Sequence, residues 1–183
     1  MAHKEENKMT DITQELAQIK RDIQVLKDTE AVRNVKHAYF RCVDTANMAE
    51  LQDLFHPEVR VHFKGGTYEW VLNNRAEYLE AIANGFHSEA VGQHNGHHPE
   101  IKILSETEAT GTWYLHDIFW NMDEKKRTNG TALYQDKYLK TDGRWQIIES
   151  TYERIYEIID YDILPQNLTV HVLGKTGRKL KPA

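Results

Sequence analysis

Between Asp11 and Lys27 the apolar side chains Ile12, Leu16, Ile19, Ile23 and Leu26 recur at intervals of four and three, with polar residues filling most of the rest. That spacing predicts a helix with one narrow apolar seam. The seam needs a partner, either another subunit or the body of its own chain. At fewer than three heptads it is short for an independent coiled coil, so we expect it to pack on the domain or to support an oligomer. A second helix is expected after it, with Thr29 as N-cap and Glu30 near the positive end of its dipole. Val32, Val35, Tyr39 and Cys42 form its inner face. Tyr39 and Asp44 are five positions apart and point in different directions on a continuous helix. Asp44 would therefore approach the space Tyr39 faces only if the helix ended near Val43.

Further along, Met48, Leu51, Leu54 and Phe55 suggest a short helix stopped before Pro57. Val59, Val61 and Phe63 alternate with polar residues as a half-buried strand does, and Gly65-Gly66 turns the chain into a hairpin return over Thr67 to Val71. Asn73 or Asn74 is placed to cap a helix carrying Tyr78, Leu79 and Ile82. The run Gln93-His94-Asn95-Gly96-His97-His98-Pro99-Glu100-Ile101 reads as a histidine-rich turn. Four β-compatible runs follow it: Glu100 to Leu104, Glu108 to Trp120, Gly130 to Leu139 and Trp145 to Tyr156. Thr141-Asp142-Gly143 joins the last two as a hairpin turn. A short strand is expected at Leu168 to Leu173. Helices first, then a hairpin, a helix and long antiparallel strands make an α+β pattern, helices laid on one face of a curved sheet. We divide the chain into an N-terminal helical extension (1–27), an α+β domain (28–160) and a C-terminal tail (161–183).

Composition narrows the class. A chain of 183 residues is long enough for one domain with a sizeable core, and a charged fraction of 28% is ordinary for a soluble protein. A net charge of -5 argues against a nucleic-acid surface. The one basic run, Lys175 to Lys181, reads as solvation of a loose terminus. No apolar run approaches bilayer length, and the polar start Met1 to Lys8 has no signal core, so neither a membrane partner nor export is expected. A single cysteine, Cys42, rules out an internal disulfide and fits a reducing, cytoplasmic compartment.

Three imidazoles within five residues mark the best place for proton-transfer chemistry, since histidine titrates nearest neutrality. A plain polar loop with satisfied ring nitrogens is the competing reading. A metal site built from His94, His97 and His98 is a third, but the spacing matches no zinc signature. No phosphate loop or dinucleotide fingerprint is present, and no cofactor is expected. Trp113, Leu115 and Asp117 share one strand face, so Asp117 is expected either to project among apolar neighbours, where it needs a partner, or to point at solvent beyond the strand's edge.

His37 to Asp44, Leu54 to Val59, Gly92 to Ile101, Gly111 to Leu115, Tyr134 to Tyr138 and Asp142 to Trp145 together resemble the SnoaL-like branch of the nuclear transport factor 2-like superfamily. The resemblance covers about residues 28 to 158. Bile acid 7α-dehydratases are its nearest members, with scytalone dehydratases, ketosteroid isomerases and polyketide cyclases more distant. It implies a cone-shaped half-barrel with a deep apolar pocket, in a dimer or trimer. The catalytic tyrosine of that family falls on Tyr39, its nearby aspartate on Asp44, its histidine on His94, the aspartate partnering that histidine on Asp117, and a strand arginine on Arg154. One pocket tyrosine is replaced by Phe63. The activity implied is dehydration of a hydroxylated, hydrophobic, steroid-like ketone, with His94 as base and Tyr39 as proton donor. An isomerase or cyclase on the same pocket is the neighbouring reading, and a non-catalytic binding or assembly module is the reading of a different class.

Overall fold

The structure is a computed structural model that describes residues 2–180, with side chains from Asp11 onward; Lys181 of the basic run lies outside the described residues. The chain begins with one long helix, α1 (Ala2–Thr45), where a break near Thr29 was expected. The expected cap residues are engaged otherwise. Thr29 Oγ1 donates to the carbonyl of Val25, one turn back. Asp28 is buried and accepts hydrogen bonds from Lys140 Nζ (2.7 Å), Trp145 Nε1 (2.9 Å) and Gln24 Nε2 (3.0 Å). Side chains that would otherwise start a new helix therefore hold a continuous one against the body.

Beyond α1 come α2 (Met48–Leu54), capped by Asn47, and β1 (Phe55–Lys64), which turns into β2 (Glu69–Leu72). The next helix, α3 (Arg75–Gly85), starts at Asn74, whose side chain accepts from the Glu77 backbone N–H. Four strands complete the sheet: β3 (Ala90–Ile103), β4 (Glu108–Asn121), β5 (Lys126–Thr141) and β6 (Arg144–Tyr161). Their order is β2-β1-β6-β5-β4-β3, so β3 is an edge strand. All neighbours are antiparallel except β1 and β6, which run parallel where the expectation was antiparallel throughout. The β5–β6 turn places Asp142 (φ 52°) and Gly143 (φ 76°) in the left-handed region, as a two-residue hairpin requires. The tail forms a short helix, α4 (Leu173–Thr176), in place of the expected strand.

Burial along α1 begins at Asp28 and follows one face through Val32, Lys36, Tyr39, Phe40, Cys42 and Val43. That face closes the concave side of the sheet, where Trp113, Leu115, Tyr134, Tyr138 and Ile147 complete the core. Among the described residues no helix is long and apolar enough to cross a membrane.

Burial alone would raise the Asp28 carboxyl, but its three hydrogen bonds outweigh that and hold it below its ordinary value of 3.8. A carboxyl lowered by folding adds stability above its unfolded pKa, and that stability is lost as pH falls through the lower folded value. Urea midpoints of the wild type and Asp28→Asn should therefore differ most above the ordinary carboxyl range and draw together as pH falls through and below it. A constant gap across that range would assign the effect to packing alone.

Candidate active site

The nine residues from Gln93 to Ile101 are not a turn but part of β3, interrupted by a bulge between His97 and Glu100. His98 takes a left-handed φ of 50° there. Pro99 has no N–H to contribute to a ladder, and an edge strand is where a sheet tolerates that. His94 lies inward on this strand. Its ring stacks on Phe40 (centroids 6.2 Å apart, planes 17°) and tilts against Phe86 (5.4 Å). Gly96 lets the helix come this close, because a Cβ there would sit 2.1 Å from the Phe40 ring.

The partner of His94 is Asp44. The His94 ring Nδ1 lies 2.6 Å from Asp44 Oδ1, and its backbone N–H donates to Oδ2 at 2.9 Å. One carboxylate thus takes a ring nitrogen and an edge-strand amide of the same residue. Because the carboxylate only accepts, Nδ1 carries the proton, and in the neutral ring Nε2 is then the nitrogen with the lone pair. Nε2 makes no hydrogen bond among the described residues, and His94 lines a cavity of about 310 Å³. The helix reaches Thr45, past the expected end at Val43, so Asp44 stands behind His94 and does not line that cavity.

Asp117 was expected to hold His94, and the structure corrects this. The two are directly opposite in the β3–β4 register, yet Asp117 is clamped by Arg154 from β6. Nη1 of Arg154 bonds Oδ1, and Nη2 bonds Oδ2 at 2.8 Å. A bidentate guanidinium fork satisfies a carboxylate more completely than one ring nitrogen would. Burial works against the Arg154 charge, but the bonds to Asp117 outweigh it and raise its pKa above the ordinary value. Both residues line the cavity.

Tyr39 lines the same cavity, with its hydroxyl 3.2 Å from that of Tyr134. Burial pushes the Tyr39 phenol up to about 12, so it stays protonated and can donate. Of the five expected residues, four border the cavity and Asp44 supports it from behind.

Several further residues were not expected in the site. Tyr134, Tyr68 and Tyr152 also line the cavity; the Tyr68 and Tyr152 hydroxyls are bonded to each other, and Arg154 Nε donates to Tyr68 at 3.3 Å. Tyr152 stacks on Phe63 (4.3 Å), the position where the resemblance lacks a tyrosine. Beneath the phenols, the fully buried Lys36 places Nζ 3.4 Å from the Tyr134 ring centroid and 2.8 Å from Asp136 Oδ2, an ion contact without hydrogen-bond geometry. Asp136 also accepts from Tyr138 and Ser150. Tyr134, Asp136 and Tyr138 alternate along β5 and so share a face, a signal that was readable. Nothing in the sequence marks Lys36 as buried.

Among the described residues no group of three or more His, Cys, Asp or Glu side chains is arranged to hold a metal ion. His97 and His98 are exposed, away from the cavity lining.

A family model described as a SnoaL-like domain matches residues 24–151. Among solved structures, a candidate scytalone dehydratase from Novosphingobium aromaticivorans is 21% identical, with a TM-score of 0.64 over 75% of this chain and 90% of that one. A type 2 hexachlorocyclohexane dehydrochlorinase (LinA) is 14% identical, with a TM-score of 0.68 over 80% of this chain and 99% of that one. A LinA type 3 from Novosphingobium barchaimii gives 14% and 0.65, over 79% and 99%. At these identities the likeness is one of fold.

Asp44→Ala leaves a strand amide and a ring nitrogen without their acceptor. A loss of about 1–3 kcal/mol is expected in denaturant unfolding. In ¹⁵N NMR the neutral form of the wild-type His94 ring should show a protonated Nδ1 and a bare Nε2. The variant should show a mixture of tautomers.

Proposed function

The chain belongs to the SnoaL-like domain family, and from that premise we propose that it is a cofactor-independent lyase of the dehydratase type. Its substrate is a hydroxylated, hydrophobic, ring-bearing ketone of steroid or bile-acid character. The observation that carries the reading is His94, whose Nδ1 is committed to Asp44 while its bare Nε2 is free to act in a cavity it shares with the Tyr39 phenol. A ligand-binding module gains nothing from an imidazole so prepared. The names dehydratase and dehydrochlorinase both describe eliminations, which agrees with this chemistry.

The steps follow from the donor set. His94 Nε2 removes a carbon-bound proton beside, or vinylogous to, the carbonyl, and the C–H electron pair moves into an enolate. Phenol donors lining the cavity steady the developing oxyanion. Collapse of the enolate breaks the C–O bond, and the hydroxyl leaves as water with a proton from Tyr39. The proton held by His94 then restores the phenol. Asp44 fixes the tautomer of His94 and stabilises the imidazolium. Asp117, beside His94 on β4, and Arg154, on β6, pair with each other and orient the substrate. Apolar faces of Phe63, Phe86 and Phe119 hold the rings.

The test is incubation with a 7α-hydroxy-3-oxo-Δ4 steroid, followed by ultraviolet absorbance of the extended dienone. His94→Ala and Tyr39→Phe should each lower kcat by about 10²–10⁴-fold, the usual contribution of a general base or acid. Unchanged turnover by both folded variants would overturn the assignment.

A further inference from the structure

Among the described residues, nothing covers the stretch of α1 from Asp11 to Lys27. Every residue from Asp11 to Lys27 is exposed except Ala17, which is half-buried. Ile12, Leu16, Ile19, Ile23 and Leu26 are 45–68% exposed, on a helix that stands clear of the body until Asp28. Packing of the seam on its own domain, one of the two expectations, is therefore not what the structure adopts. The stripe is as narrow as a coiled-coil seam and not as broad as a membrane-lying face. Its charges balance, Asp11, Glu15 and Asp22 against Lys20, Arg21 and Lys27, which gives no attraction to an anionic surface.

The charges beside the seam say what covers it. In heptad terms Leu16 and Ile23 are a positions, and Ile12, Ile19 and Leu26 are d positions. The g positions are then Glu15 and Asp22, both acidic, and the e positions include Lys20 and Lys27, both basic. In a parallel, in-register pair each g residue faces the e residue five positions on in the other helix. Glu15 would meet Lys20 of the second copy, and Asp22 would meet Lys27 of the second copy. An antiparallel pair brings g to g and e to e, setting acid against acid and base against base. Among the described residues of one chain Glu15, Lys20 and Lys27 have no ion pair, and Asp22 accepts from Gln18 one turn back. The next a and d positions, Glu30 and Arg33, are paired with each other, so the register ends where the helix meets the body.

We propose that residues 11–27 form a parallel, in-register coiled coil with further copies of this chain, oriented by the Glu15–Lys20 and Asp22–Lys27 pairs. The layers do not set the number of strands alone: Leu16 with Ile19 is a combination of three- or four-stranded coils, and Ile23 with Leu26 is one of two-stranded coils. Orientation is what the charges fix. Parallel helices place the bodies together at one end of the coil, each carrying its own cavity.

Sedimentation equilibrium of the full chain should give a multiple of 21.4 kDa. The Leu16→Asp/Ile23→Asp variant should give a lower mass, with an unchanged near-ultraviolet dichroism signal from the body. Orientation is read by oxidation of Ile12→Cys and Leu26→Cys chains, in which the buried Cys42 does not compete. Each should cross-link with itself. A monomeric wild type, which would leave the seam to another protein, overturns the proposal. So does a mass that the double variant leaves unchanged, or cross-linking only when the two cysteine chains are mixed.

Discussion

The arrangement of the site depends on one carboxylate at the end of one helix. Asp44 lies in the last turn of α1, where the helix dipole is negative and no basic side chain offsets it. An acid there is disfavoured by about 0.3–1 kcal/mol. Two hydrogen bonds to a charged acceptor are worth about 1.5–3 kcal/mol each, so the contacts with His94 win. What they hold is also what the edge strand needs held. β3 has an open side, and the His94 amide on that side would otherwise face solvent or a stray strand. Closing the edge and preparing the imidazole are thus one interaction.

The second condition is that the other charges near the cavity be spoken for. Asp117 and Arg154 form a bidentate pair, with Glu157 Oε2 a further 3.3 Å from Arg154 Nε, and Lys36 and Asp136 pair beneath the phenols. Had Arg154 been absent, Asp117 stood in register to compete for His94 across the β3–β4 pair. Buried pairs of this kind add little net stability, because desolvation offsets their attraction. Their value lies in leaving His94 Nε2 without a hydrogen bond among the described residues, on a lining it shares with the phenols and phenyl rings. Burial presses Lys36 toward its neutral form while Asp136 opposes it, and Tyr134 lies against the ammonium through its ring face.

Much of this was legible along the chain, and the failures have physical causes. Alternation along β4 and β5 was clear because each has one buried face. Asp142-Gly143 announced its turn, and Asn74 announced α3. Tyr39 and His94 could be named as bordering one hollow through the family resemblance alone. The break at Thr29 was misread because Asp and Thr are cap residues when local bonds decide, whereas here Trp145 and Lys140 take Asp28 from more than a hundred positions away. Gln93 to Ile101 looked like a turn because Gly, Pro and clustered polar residues usually mean one. On an edge strand with a bulge the same residues remain extended. The pairing of Asp44 with His94 turned on two residues of helix length past Val43, which no periodicity resolves.

These points join along α1. Asp28, Lys36 and Asp44 stand eight residues apart, about 12 Å of helix each, and each meets a different strand partner: Trp145 and Lys140, then Asp136, then His94. Apolar packing alone would tolerate a small slide or rotation of the helix, because Val, Phe and Tyr contacts are forgiving. Three polar contacts at three depths are not, since a displacement that breaks one leaves a desolvated group unpaired. The helix is therefore fixed in register against the sheet. The geometry of the base is in this sense a property of the whole helix, from the anchor where it enters the body to its last turn.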